Sequence, residues 1–126
     1  MTPAALARAY LEAFATGDPD AVAAFVTEDF VNEHTAALGH GCEGKAEYRR
    51  RLPGFLASMA GLHYDVEEVI AQGPRAVAAY ILRGTVHDRP IAVRGVMRLQ
   101  FRDGLIARRT DYWDSLVFQR QAGLAE

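Results

Sequence analysis

Asp103-Gly104-Leu105-Ile106-Ala107-Arg108-Arg109-Thr110-Asp111-Tyr112-Trp113-Asp114 is the stretch whose reading decides the fold. Asp-Gly between two extended segments is a tight hairpin signal, because both residues tolerate positive φ. The residues from Leu105 to Trp113 then read as a strand. Alternation places Arg109, Asp111 and Trp113 on one face of it. A hairpin needs a strand before it, and Ile91, Val93, Met97, Leu99 and Phe101 lie on one side of the preceding segment. Two more strands are expected further back, Ala76 to Val86 and Leu62 to Ala71. Gln72-Gly73-Pro74-Arg75 and His87-Asp88-Arg89-Pro90 make the turns.

Near residue 60 the periodicity changes, and the N-terminal half is helical. A helix is expected from about Lys45 to Met59, with Tyr48, Leu52, Leu56 and Met59 on one face and a kink or break at Pro53-Gly54. A short helix precedes it, with Asp18 as N-cap, Pro19 in the first turn and Val22, Phe25 and Val26 turned inward. Leu6, Tyr10, Ala13 and Phe14 make the stripe of a first helix that stops at Gly17. Asp29 to His34 reads as a short strand. Thr35 to Gly44 carries three glycines beside Ala36, Ala37 and Leu38, and suits a mobile apolar lid. The tail from Asp114 to Glu126 is too short for a further core element. The expected fold is α+β, a cone-shaped roll of three N-terminal helices on a strongly curved antiparallel sheet, with an apolar hollow between them.

The chain has 126 residues, half of them apolar and 24% charged, so residues 1–126 are read as a single domain. A net charge of −2 supplies no bulk field for nucleic acid or anionic lipid. The consecutive Arg49, Arg50 and Arg51 point about 100° apart on a helix and make no compact patch; pairing with Glu47 or Glu43 is expected. The single cysteine, Cys42, excludes an intrachain disulfide. His34, His40 and Cys42 match no standard metal-ligand spacing, so no metal is expected. Nor is there a phosphate loop or dinucleotide fingerprint, and no cofactor is implied. No apolar run approaches the ~18 residues of a membrane span, and no signal peptide is read, which points to a cytoplasmic protein.

The order of elements resembles the nuclear transport factor 2-like superfamily in its SnoaL-like branch. Three segments carry the resemblance: Tyr10 to Asp18, Asp29 to His34, and above all Asp103 to Asp114. Relatives in that branch include SnoaL-type polyketide cyclases, ketosteroid isomerases and limonene-epoxide hydrolases. The resemblance implies a homodimer paired through the sheet. It also implies that Asp111 stands where cyclases and epoxide hydrolases keep an acid or base, and that Asn32 matches the hydrolases' water-binding asparagine. Phe30 stands where the hydrolases carry a tyrosine. Their Arg-x-Asp pair on a middle strand is missing from Ala79-Tyr80-Ile81-Leu82-Arg83, which argues against epoxide opening. Counted from Gly17-Asp18, Tyr10 falls at the isomerases' oxyanion tyrosine and His34 at or beside their catalytic aspartate. Arg94-Gly95-Val96-Met97 replaces their second oxyanion donor.

The physics of the residues runs alongside. A carboxylate at the floor of an apolar cavity is a usable base. Asp111 paired with Arg109 on the same face would instead be a structural ion. His34 is a second acid/base candidate; Tyr10 also fits a plain core stripe, and Asn32 a local turn. Trp113, Tyr80, Phe55, Met59, Met97 and Phe30 are expected to form either core or the wall for a small apolar molecule. Two functions follow: a cofactor-independent isomerase, cyclase or dehydratase with Asp111 as main acid/base, or a non-catalytic ligand-binding or dimeric interaction domain.

Overall fold

A computed structural model of the chain describes residues 1–124. The chain opens with α1, Pro3–Ala13, whose N-cap Thr2 accepts from the Ala5 N–H. A single 3₁₀ turn, Phe14–Thr16, ends at Gly17 with φ +70°, the left-handed stop expected there. Asp18 then caps the short α2, Pro19–Ala23, by accepting from Asp20 N. Strand β1, Val26–His34, is longer than the segment read from sequence. After it come the two-residue β2, Cys42–Glu43, and α3, Lys45–Leu56. Four long strands follow: β3, Ala60–Gln72; β4, Arg75–Val86; β5, Arg89–Arg102; and β6, Leu105–Trp113.

All six strands form one curved sheet in the order β2-β1-β6-β5-β4-β3. The hairpins turn where expected, with positive φ at His87, Asp88, Asp103 and Gly104. The sheet is mixed, correcting the antiparallel expectation: β1 pairs with β6 in parallel, while the other pairings are antiparallel. Strand β1 follows α1 and α2, and only β2 and α3 separate it from β3, yet its partner in the sheet is β6, the last strand of the chain. This pairing seats His34 opposite Asp111 and Asn32 opposite Arg109.

The core lies between the concave face and the helices. Tyr10, Leu11 and Phe14 pack there against Val22, Phe30, Met97 and Leu99, all essentially without exposure. Helix α3 runs through Pro53 to Leu56, so the expected break at Pro53-Gly54 does not occur. Pro53 and Gly54 are exposed, where water can satisfy the carbonyl that proline leaves unpaired. One turn earlier Glu47 binds both Arg50 and Arg51, and Arg49 reaches Asp20.

The tail also departs from expectation. Asp114 caps a fourth helix, α4, Ser115–Gln121, accepting from Leu116 N and Val117 N. Gln121 then docks it on β5, its Oε1 accepting from Ala92 N at 2.8 Å and its Nε2 donating to Ala92 O at 3.0 Å. A side-chain amide here supplies the donor and acceptor that a neighbouring strand would. Ala125 and Glu126, the last residues of that tail, lie outside the described residues.

Candidate functional site

Inward-facing positions of β6 supply the floor of the site. Asp111 is 2% exposed and each of its carboxylate oxygens holds a donor. Tyr80 Oη–H donates to Oδ1 at 2.5 Å, and Arg109 Nη2–H donates to Oδ2 at 2.6 Å. Burial, then the neighbouring Asp111 charge, pushes the Tyr80 hydroxyl well above its ordinary pKa, so it remains a donor. Arg109, 3% exposed, continues the chain: its Nη1 donates to Tyr10 Oη at 2.9 Å, and Tyr10 Oη is hydrogen-bonded to Tyr48 Oη. The guanidinium also lies over the Phe14 ring, 5.8 Å from its centroid. The ion pair weighed from the spacing of Arg109 and Asp111 is therefore present, within a wholly buried network.

Gly95 makes room for this arrangement. It sits opposite Tyr80 on β5, and a Cβ built there would come within 2.3 Å of Tyr80 Oη. Thr35 ties the start of the 35–44 loop to the same place, donating from both its backbone N–H and its hydroxyl to the Asp111 carbonyl at 3.0 Å.

His34 stands beside the carboxylate, with Nδ1 3.9 Å from Asp111 Oδ2. Trp113 Nε1–H donates to that Nδ1 at 3.2 Å. Burial first, and the nearby Arg109 charge second, bring the His34 pKa from 6.5 down to about 4, against the pull of Asp111. The imidazole is thus neutral near pH 7, with its lone pair at Nδ1 engaged and its hydrogen on Nε2. It is placed to donate a hydrogen bond rather than to take a proton at Nδ1.

Above this floor is a cavity of about 270 Å³ with mostly apolar walls. His34, Asp111, Trp113, Tyr80, Phe55 and Met59 line it, so six of the sequence-predicted site residues are brought together. Ser58, Tyr64, Leu82, Val93 and Phe118 add to the wall, as do Leu38, Gly39 and His40 of the expected lid. Sequence reasoning missed Tyr64 and Phe118 as wall residues. The inward alternation of the β3 strand contained a signal for Tyr64, whereas Phe118 lies on the unforeseen α4. A smaller cavity of about 140 Å³ adjoins and shares His34, His40 and Phe55; Asn32, Cys42 and Arg109 line it. Tyr10, Phe30 and Met97 line neither cavity. Each is fully buried in the core, Phe30 with its ring 4.8 Å from that of Tyr48. Tyr10 acts behind the floor, through Arg109. Among the described residues, no three His, Cys, Asp or Glu side chains converge as a metal site. No described helix is long and apolar enough to cross a membrane.

Helices seated in the concave face of a curved six-stranded sheet make the nuclear transport factor 2-like fold. Within that fold class, residues 7–109 match the SnoaL-like domain model, and the chain belongs to that family. It is similar in structure to a hypothetical protein of ketosteroid isomerase-like fold from Catenulispora acidiphila, solved in complex with trimethylamine. The TM-score is 0.87 at 19% identity, covering 98% of this chain and 95% of that one. A candidate ketosteroid isomerase from Kribbella flavida is 29% identical at TM-score 0.71, over 88% of this chain and 76% of that one. A candidate polyketide cyclase from Xanthomonas campestris is 26% identical at TM-score 0.77, with 94% of each chain covered. No curated protein matches the sequence significantly.

Proposed function

We propose that the larger cavity takes a small apolar molecule carrying a carbonyl oxygen and moves a proton on it without a cofactor. Asp111 is the base: a carboxylate paired with Arg109 at the floor of an apolar cavity. It takes the proton from the carbon next to the carbonyl. His34 Nε2–H stabilises the enolate oxygen that results, and Asp111 returns the proton to another carbon or to a leaving group. Tyr80 and Arg109 position the carboxylate. The observation that carries this reading is the adjacency of an anion and a neutral imidazole on the floor of one apolar cavity. Isomerisation, cyclisation and dehydration all begin with this step, consistent with similarity to candidate isomerases and cyclases.

One observation favours a second reading, binding without turnover. Both Asp111 oxygens already accept a hydrogen bond from a protein donor, so a substrate proton must compete with Tyr80 and Arg109 for them. A thermal-shift screen of steroids, terpene epoxides and aromatic polyketides, run on wild type and Asp111→Asn, separates the two. A ligand at 100 times its Kd adds about 2.7 kcal/mol to stability. Turnover of a hit by wild type and its loss in Asp111→Asn supports the enzyme. Hits bound equally by both proteins and never turned over support the binding domain.

We also propose a homodimer through the outer face of the sheet. Ile70, Val77, Val96 and Tyr112 are exposed there, and the Arg98 guanidinium lies 5.6 Å from the Tyr112 ring centroid. Sedimentation equilibrium of wild type against Val96→Glu tests it: a dimer that the charge converts to monomer is the expected result.

A further inference from the structure

The smaller cavity carries more than packing explains. Three buried side-chain polar atoms among the described residues have no hydrogen-bond partner, and two of them, Asn32 Oδ1 and Arg109 Nε, belong to residues lining this cavity. Asn32 is 8% exposed and Arg109 3%. An unpaired buried polar group costs about 1–3 kcal/mol, so two on residues that line one small space point to an absent partner, reached once the side chains shift to open these atoms to the cavity.

The chemistry of that partner can be read from the pair. Arg109 Nε–H is a donor and Asn32 Oδ1 an acceptor, so the group between them must both accept and donate, as a hydroxyl does. An anion is disfavoured. Both guanidiniums lining the cavity already hold carboxylates, Arg109 with Asp111 and Arg51 with Glu47. Size argues for more than one water. About 10–15 Å³ suffices for a water, against the 140 Å³ present. Of the remaining walls, Phe14, Leu52 and Phe55 offer water nothing to bond. Because His34, His40 and Phe55 line both cavities, one molecule extending past them would occupy both.

We propose that the smaller cavity is a second arm of the same binding site and takes a hydroxyl-bearing group of the ligand between Asn32 and Arg109. The inference rests on reading the larger cavity as the ligand site, and makes the ligand bifunctional: a carbonyl at the Asp111 floor and a hydroxyalkyl arm beyond His34.

The test uses ketone pairs of equal size. 4-(Hydroxymethyl)acetophenone is compared with 4-ethylacetophenone, and 4-(hydroxymethyl)cyclohexanone with 4-ethylcyclohexanone, by calorimetry on the full chain. Wild type binds the hydroxymethyl member about tenfold tighter, and in Asn32→Leu the preference falls below about threefold. Cys42→Met, on the edge strand and lining the smaller cavity but not the larger, narrows the arm without replacing its polar atoms. It weakens both substituted ketones and leaves acetophenone and cyclohexanone unchanged, which keeps the idea testable if Asn32→Leu fails to fold. Equal affinities within each pair, with the unsubstituted ketones still bound, overturn the second arm and leave the larger cavity's reading standing. So does a crystal of the hydroxymethyl complex with only a water between Asn32 and Arg109. If no ketone binds at all, both readings fall together.

Discussion

At Gly95 a single methyl group decides whether Tyr80 keeps its place. The Cβ of an alanine would sit 2.3 Å from Tyr80 Oη and 2.8 Å from the Tyr112 carbonyl, and the latter is backbone that cannot swing aside. Gly95→Ala is therefore expected to cost about 1–3 kcal/mol in urea unfolding and to weaken the Tyr80–Asp111 hydrogen bond. A cost no larger than that of the same change at Gly54, an exposed position of α3 with open space around it, would show that the fit is loose. Arg109 and Asp111 are the next pair to separate. Removing either partner alone strands a charge in a site where both are at most 3% exposed, so Arg109→Met should cost about 3–5 kcal/mol. Arg109→Met with Asp111→Leu should recover much of that loss, because no unpaired ion is then buried. A double-mutant cycle with additive costs would mean that the two side chains are held independently.

Helix α4 shows what one element contributes. Its docking depends on Gln121, whose amide pairs with both polar groups of Ala92. Gln121→Leu is expected to lower stability by about 1–2 kcal/mol and to loosen Phe118 from the cavity wall. Faster amide exchange at Ala92 and along α4, with β6 unaffected, is the measurement that checks it. This helix also marks where the sequence stops being readable. The three long hairpins were legible because alternation and Asp-Gly chemistry are local signals, as were the caps at Asp18 and Gly17. The parallel pairing of β1 with β6 joins residues 77 positions apart, His34 with Asp111, and no local pattern encodes it. Asp114 was counted as the start of a tail too short for a core element although Asp is also a strong N-cap, so α4 went unseen. In the site, Asp111 and Trp113 were linked by their shared strand face. Arg109 was read only as a possible partner, since spacing cannot show that one guanidinium joins Tyr10, Asp111 and two aromatic rings. Tyr10 was placed on the correct helix face, but its hydroxyl meets Arg109 rather than the cavity.

On the scale of the whole molecule, the half-buried neutral His34 links the cavity to global stability. Its pKa is about 4 in the folded chain against 6.5 for an unperturbed histidine. Between those values the unfolded chain binds a proton that the folded chain does not, so stability rises with pH through this window. The contribution is fully present above about pH 6.5 and is lost as the pH falls toward 4. Below that the folded ring also protonates and the loss stops growing. At about 1.4 kcal/mol per pH unit for one proton, the total is on the order of 3 kcal/mol. The carboxylates act lower down. Hydrogen bonds from Arg50 and Arg51 hold Glu47 at about 2, so its contribution is lost only as the pH falls from 4.5 toward 2. The two limbs can therefore be separated. His34→Gln keeps a neutral polar side chain that does not titrate, and is expected to flatten the loss between pH 6.5 and 4 while leaving the steeper fall beneath it. Urea midpoints at half-unit pH steps for both proteins make the comparison. Parallel curves across that window would mean the ring is solvated enough to take its proton in the folded state. His34 could then exchange protons with a substrate near neutral pH, and the division of labour proposed for the cavity, Asp111 as base and His34 as donor, would have to be reversed.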